Sequence, residues 1–114
     1  MIRRRDEMRL ELKERMRDGE GTVSLLHLVE GSTMKNARLL SEVTIPPGAS
    51  IGEHRHDAET EYYIILEGEG TVIDNGVPQT VHAGDVVITG DGASHSIKNT
   101  GAVPLKLLAV IITY

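Results

Sequence analysis

The chain has 114 residues, 39% of them hydrophobic and 25% charged, with a formal net charge of -5 and no cysteine. That length suits one domain burying about two-thirds of its unfolded surface, and the aliphatic content excludes a disordered chain. The lack of cysteine excludes disulfides, thiolate metal sites and cysteine nucleophiles, so a bound metal ion would have to be held by histidine and carboxylate side chains.

In chain order, residues 1–20 read as an N-terminal charged segment with seven of the twelve Lys/Arg and six acids, which leaves five bases against eleven acids in the rest. An acidic body repels a phosphate backbone, and Arg3-Arg4-Arg5 is followed at once by Asp6 and Glu7, so nucleic acid is not an expected partner. No apolar run approaches the ~20 residues that span a bilayer, and the N-terminus leads into charged residues; the expectation is a cytoplasmic protein with no membrane partner. Residues 6–18 fit two patterns, a helical stripe of Met8, Leu12 and Met16 or a strand alternation of Met8, Leu10 and Leu12, and periodicity leaves the choice open.

Residues 21–114 read as a single all-β domain. The spacing predicts strands over Thr22–Val29, Ala37–Ile45, Glu61–Leu66, Gly70–Asp74, Val77–His82, Asp85–Thr89, His95–Asn99 and Leu105–Ile112, separated by turn residues. Asn75-Gly76 is a hairpin signal, because both residues tolerate the positive φ of a type I′ turn. The run Leu105 to Ile112 and the stretch Tyr62 to Leu66 are apolar on both alternating faces, as in strands covered on two sides. A small barrel has one interior, so the outer faces call for a second layer: the N-terminal segment or, as the favoured partner, a second copy in a homodimer.

His54 and His56 stand two apart, so on one strand both imidazoles project from the same side. Glu61 opens the next strand and His95 another. Three imidazoles and one carboxylate form a donor set suited to Mn, Fe, Co, Ni, Cu or Zn, with positions left for water or substrate. Glu59, the competing acid, fits an outer or entrance position. His27 and His82 read as ordinary strand histidines, and Asn99 as a residue that ties down a strand end.

Together the motifs resemble the cupin family. Gly48-x5-His54-x-His56-x4-Glu61-x6-Gly68 matches its first motif, and Gly84-x5-Gly90-x-Gly92-x2-His95-x3-Asn99 matches its second, with glycine at 90 where proline is usual. The resemblance covers about residues 37–112 and is closest to the small single-domain bacterial cupins compared with oxalate decarboxylase. It implies a jelly-roll barrel, also called a double-stranded β-helix, with His54, His56, Glu61 and His95 as metal ligands facing the interior.

A divalent ion in that set keeps a net charge near +1 and attracts a small anionic substrate or ligand, with Mn or Fe favoured where dioxygen chemistry is involved. The leading expectation is a metal-dependent enzyme acting on a small carboxylate or carbohydrate-derived acid, with oxalate decarboxylase-like chemistry first. The alternatives are a metal-dependent small-molecule or sugar-binding module without turnover, or a cupin isomerase or dioxygenase. Tyr63 shares the strand face of Glu61 and is the candidate catalytic side chain. Arg38, Arg55 and Lys98 are the cationic residues placed near the barrel strands, and the only lid candidate is the acidic bend at Asp57 to Glu59.

Overall fold

Over Ala37–Ile45 the side chains of Ser41, Val43 and Ile45 are buried while Leu40, Glu42 and Thr44 are partly covered, the period-two pattern of a strand with one face on a core. A computed structural model, describing residues 1–114, repeats this pattern over ten strands: β1 Arg9–Glu14, β2 Thr22–Val29, β3 Ala37–Ile45, β4 Ser50–Arg55, β5 Glu59–Glu67, β6 Glu69–Asp74, β7 Val77–His82, β8 Val86–Gly90, β9 Ser94–Lys98 and β10 Leu105–Thr113. They form a six-stranded sheet ordered β1-β2-β3-β10-β5-β8 and a four-stranded sheet ordered β4-β9-β6-β7, antiparallel throughout. The two sheets face each other as the walls of a jelly-roll barrel. The only helical pieces are three-residue 3-10 turns, and no helix is long and apolar enough to cross a membrane.

Each inward row of side chains changes character along the barrel. At one end Ile45, Ile65, Val72, Ile97, Leu105 and Leu107 are almost fully buried against one another and fill the interior. Toward the other end the same strands present Ser41, Glu61, His95 and the small Ala109, and the interior opens. The filled end supplies the stability, with a fully buried Ile or Leu contributing about 1.5–3 kcal/mol. The rows of the open end hold polar groups in place by ladder hydrogen bonds on both sides.

Thr22–Val29, Ala37–Ile45 and Val77–His82 form with the bounds the turn spacing predicts, and Asn75 (φ 46°) with Gly76 (φ 89°) makes the expected tight turn between β6 and β7. The ambiguous stretch 6–18 resolves as strand over Arg9–Glu14, paired with β2 from Arg9↔His27 to Glu14↔Thr22. This strand extends the edge of the six-stranded sheet and does not cover its outer face. After it the chain turns sharply through Arg15 (φ 50°), Arg17 (φ 54°) and Asp18 (φ 63°). Left-handed backbone at a residue with a side chain costs about 1–2 kcal/mol, so this turn is held by contacts elsewhere: Gly52 of β4 has room only because it lacks a Cβ, which would collide with the Arg17 carbonyl.

Candidate metal centre

β4 carries no alternating apolar pattern beyond Ile51, yet both Ile51 and His54, three residues apart, face the interior. A shift in register between Ile51 and His54 in the pairing of β4 with β9 makes this possible, since a bulge resets which face a side chain occupies. His54 then lies opposite His95 of β9. His56, just past the end of β4, is fixed by its backbone: its N–H donates to Ala93 O (3.0 Å), and its carbonyl accepts from Gly92 N–H (2.8 Å). Glu61 reaches in from the opposite sheet, between Ile111 of β10 and Thr89 of β8.

The four side chains converge. His56 Nε2 and His54 Nε2 each lie 3.0 Å from His95 Nε2, and Glu61 Oε1 lies 3.0 Å from His56 Nε2, 2.9 Å from His95 Nε2 and 3.7 Å from His54 Nε2. All four ligand atoms fall within 4.8 Å of one another, and His56, Glu61 and His95 are buried. Two of the tautomers follow from the hydrogen bonds. His54 Nδ1–H donates to Gly52 O (2.8 Å) and His56 Nδ1–H to the Glu59 carboxylate, which turns both Nε2 lone pairs toward the centre. Glu61 Oε1 is buried without a hydrogen bond of its own. Lone pairs and a carboxylate oxygen packed at such spacings repel unless a cation lies between them. Imidazole and carboxylate bonds to a transition metal are about 2.0–2.2 Å long, so donor atoms gathered at these separations fit one such ion between them.

The charges around the centre are arranged for a cation. Burial pushes the Glu61 carboxyl up, but when the three imidazoles carry protons on the nitrogens that face it their N–H groups outweigh burial and hold it far below the usual range. Burial also acts first on His56, and here the carboxylates of Glu61 and Glu59 overcome it and raise the imidazole. His95, with Glu61 alone to offset its burial, is lowered. Glu59 is brought down to about 2, chiefly by the Arg38 guanidinium, whose Nε and Nη2 donate to its two oxygens at 2.7 and 2.8 Å. Glu59 therefore sits behind His56 as an orienting group, in the outer position read from its spacing. Tyr63 is buried and stacked on His95, with ring centroids 4.6 Å apart and planes 13° apart. Burial and then Glu61 raise its hydroxyl well above the usual range, while Arg17 acts in the opposite direction.

One wall of a cavity of about 420 Å³ is formed by His54, His56, Glu61 and Tyr63. The sequence reading placed only Arg38, Arg55 and Lys98 among the cations near the barrel, yet Lys13 and Arg17 of the N-terminal segment line this cavity with Arg38, whereas Arg55 and Lys98 do not. No local periodicity reveals that approach, because a left-handed turn makes it. His27 is also more than a strand histidine. It is 7% exposed, lines the same cavity, and bridges Glu11 (Nε2 to Oε1, 2.8 Å) and the fully buried Ser41 (Nδ1 to Oγ, 2.7 Å), tying β1 to β2 and β3. His82 is exposed at 63% of its side chain. Asn99 ties down its strand end as expected, donating to Ile45 O and Val103 O at 2.8 Å and accepting from Gly101 N–H. Gly90 stands where a Cβ would strike the Thr60 side chain, so close packing against β5 explains glycine there.

The family described as Cupin domain matches residues 41–111. Over 113 residues the chain is 47% identical to the oxalate-binding protein of Thermotoga maritima, an alignment covering 98% of this chain and 93% of that protein. A crystal structure described as that of a predicted oxalate decarboxylase from Thermotoga maritima superposes with a TM-score of 0.94 and 45% identity over 100% of both chains. An uncharacterized protein of Methanocaldococcus jannaschii is 34% identical over 92 residues, 81% of this chain and 72% of that one.

Proposed function

The chain belongs to the cupin family, and from that premise we propose that it is a metal-dependent enzyme that binds a small carboxylate, oxalate first among them, at an ion held by His54, His56, Glu61 and His95. The observation that carries the reading is the convergence of four donor atoms, several at about 3 Å spacing, on the wall of a cavity sized for a small molecule. Mn or Fe is the favoured ion. Such an ion supplies Lewis-acid polarisation of a bound carboxylate and, with dioxygen, one-electron chemistry.

The remaining roles belong to the protein's own groups. Glu59 and the Gly52 carbonyl fix the imidazoles of His56 and His54, so their Nε2 lone pairs need no reorganisation. The apolar walls of Leu25, Leu39, Val43 and Ile51 exclude water from one side. The Tyr63 hydroxyl, kept neutral by its surroundings, is the candidate donor of a hydrogen bond or proton to the ligand. For oxalate, decarboxylation breaks the carbon–carbon bond, releases carbon dioxide and takes up one proton to leave formate.

A second reading is a binding module without turnover. It is favoured by the name of the relative, an oxalate-binding protein, and by the Tyr63 hydroxyl being held well above its usual range, which makes it a weak proton donor. Protein purified without added metal, analysed for its bound ion and incubated with oxalate and a panel of hydroxy and keto acids, with and without oxygen, separates the two. Loss of substrate supports the enzyme, and saturable binding with no product supports the module. Protein that takes up no divalent ion would end both.

We also propose a two-fold homodimer formed through the outer face of the six-stranded sheet, where Leu10, Leu12, Val86, Ile88 and Ile112 are exposed.

A further inference from the structure

Three cations line the cavity. Both donor edges of Arg38 used in its fork are engaged by Glu59, and Lys13 lies 4.0 Å from Glu11. Arg17 makes neither a side-chain hydrogen bond nor an ion pair, while Arg5, Arg9, Arg38 and Arg55 each hold a carboxylate. Its backbone is nevertheless fixed. The turn around it is closed by Asp18 N–H to Arg15 O and Gly19 N–H to Met16 O, both 2.9 Å, and its own carbonyl packs where Gly52 lacks a side chain. The Gly52 carbonyl in turn accepts the Nδ1–H of His54. One glycine thus registers both the backbone of Arg17 and the imidazole of a metal ligand, and left-handed backbone is retained at a residue type that does not favour it.

We propose that Arg17 is a specificity-determining residue of the carboxylate site: its guanidinium takes the second negative group of a ligand whose first carboxylate is held at the metal centre, so that the protein selects dianionic over monoanionic carboxylates. This rests on the carboxylate reading above. A guanidinium presents paired N–H donors that match a carboxylate edge-on, and one at the mouth of a partly enclosed cavity pays little to desolvate. Two nearby acids are already engaged. Glu11 is taken by His27 and Glu59 by Arg38, which leaves Glu14 as the one unpaired carboxylate on the cavity wall apart from the proposed metal ligand Glu61.

The test uses the full chain loaded with Mn, its metal content checked by elemental analysis, and calorimetric titration with oxalate, malonate and succinate against acetate and propionate. Arg17→Asn removes the charge with a residue that tolerates left-handed backbone. It should weaken binding of the tightest dicarboxylate about tenfold or more while leaving monocarboxylates within about twofold and the metal content unchanged. Arg17→Lys should recover part of the discrimination. Dicarboxylate affinity within about twofold of wild type in the Asn variant, or equal losses for both ligand classes, would overturn the role of Arg17 while leaving the site's carboxylate function standing. If the Asn variant loses its metal, the Lys variant decides, and a dicarboxylate preference equal to wild type there overturns the proposal. Wild-type protein that holds Mn and binds no carboxylate overturns this inference and the function beneath it together.

Discussion

The Nδ1–H of His56 is accepted by the carboxylate of Glu59, which also receives two N–H groups of Arg38. Because its carboxyl is depressed to about 2, ionised Glu59 stabilises the fold fully above its ordinary value near 4.5, and that contribution is lost as pH falls through about 2. Glu59 is 13% exposed but its main partner Arg38 is 48% exposed, so solvent screening trims the term to the order of 1–2 kcal/mol at neutral pH. Urea unfolding of metal-free wild type and Glu59→Gln should show a gap of that order at pH 6–7 that closes toward pH 2; a gap independent of pH would refute the assignment. The same substitution should lower metal affinity by about tenfold or more, since a neutral amide orients and polarises the imidazole less well. His95→Ala goes further, because it removes the central nitrogen that lies within 3.0 Å of the other three donor atoms, and elemental analysis should find most of the metal gone.

At the level of strands, what the sequence makes legible and what it hides have distinct physical causes. Alternation exposes β2 and β3 with their observed bounds, because their inward positions are filled mainly by aliphatic side chains, while β7, with Val81 alone buried, is bounded by the Asn75-Gly76 turn before it. β4 goes unread as a strand for the opposite reason: after Ile51 its inward position is a histidine, and a bulge breaks the period. The convergence of His54, His56, Glu61 and His95 was legible from their spacing. Arg17 was not, because tertiary contact through Gly52 and not a sequence period brings it to the cavity. The size of that cavity depends on a small residue. Ala109 of β10 lies between Ser41 and Tyr63 in the ladder and lines the open space. Ala109→Leu should leave the metal ligands in place and occupy ligand volume, at about 1–3 kcal/mol of overpacking. Metal content should hold while oxalate titration heat falls away, and unchanged oxalate binding would mean that the ligand sits elsewhere.

For the molecule as a whole, the outer face of the six-stranded sheet is the feature that a single copy leaves unresolved. On it stand Leu10 and Leu12 of β1, Leu26 of β2, Leu40 of β3, Leu108 and Val110 of β10, Ile64 of β5, and Val86 and Ile88 of β8, with Glu42 of β3 in the row between Leu26 and Leu108. Leu12 and Ile88 are 66% and 62% exposed, which is rare for aliphatic side chains so grouped. Strand spacing makes six strands about 24 Å across, and nine-residue strands reach about 30 Å. That footprint is comparable to the ~800 Å² that each partner of a stable pair contributes. A two-fold axis through the face would set like strands against each other and bury the leucines of both copies. Charge on it centres on Glu42, held by Arg5 at 3.0 Å with Lys106 at 3.9 Å, a cluster that is neutralised within one copy. Light scattering at micromolar concentration should therefore give twice the chain mass for wild type and the single mass for Ile88→Lys, whose added cation would have to be buried at the interface. Ile88 is on the side of β8 away from the metal centre, so the variant should keep its metal. A wild-type monomer would rule the dimer out, and an unaltered dimer in the lysine variant would move the interface to another face.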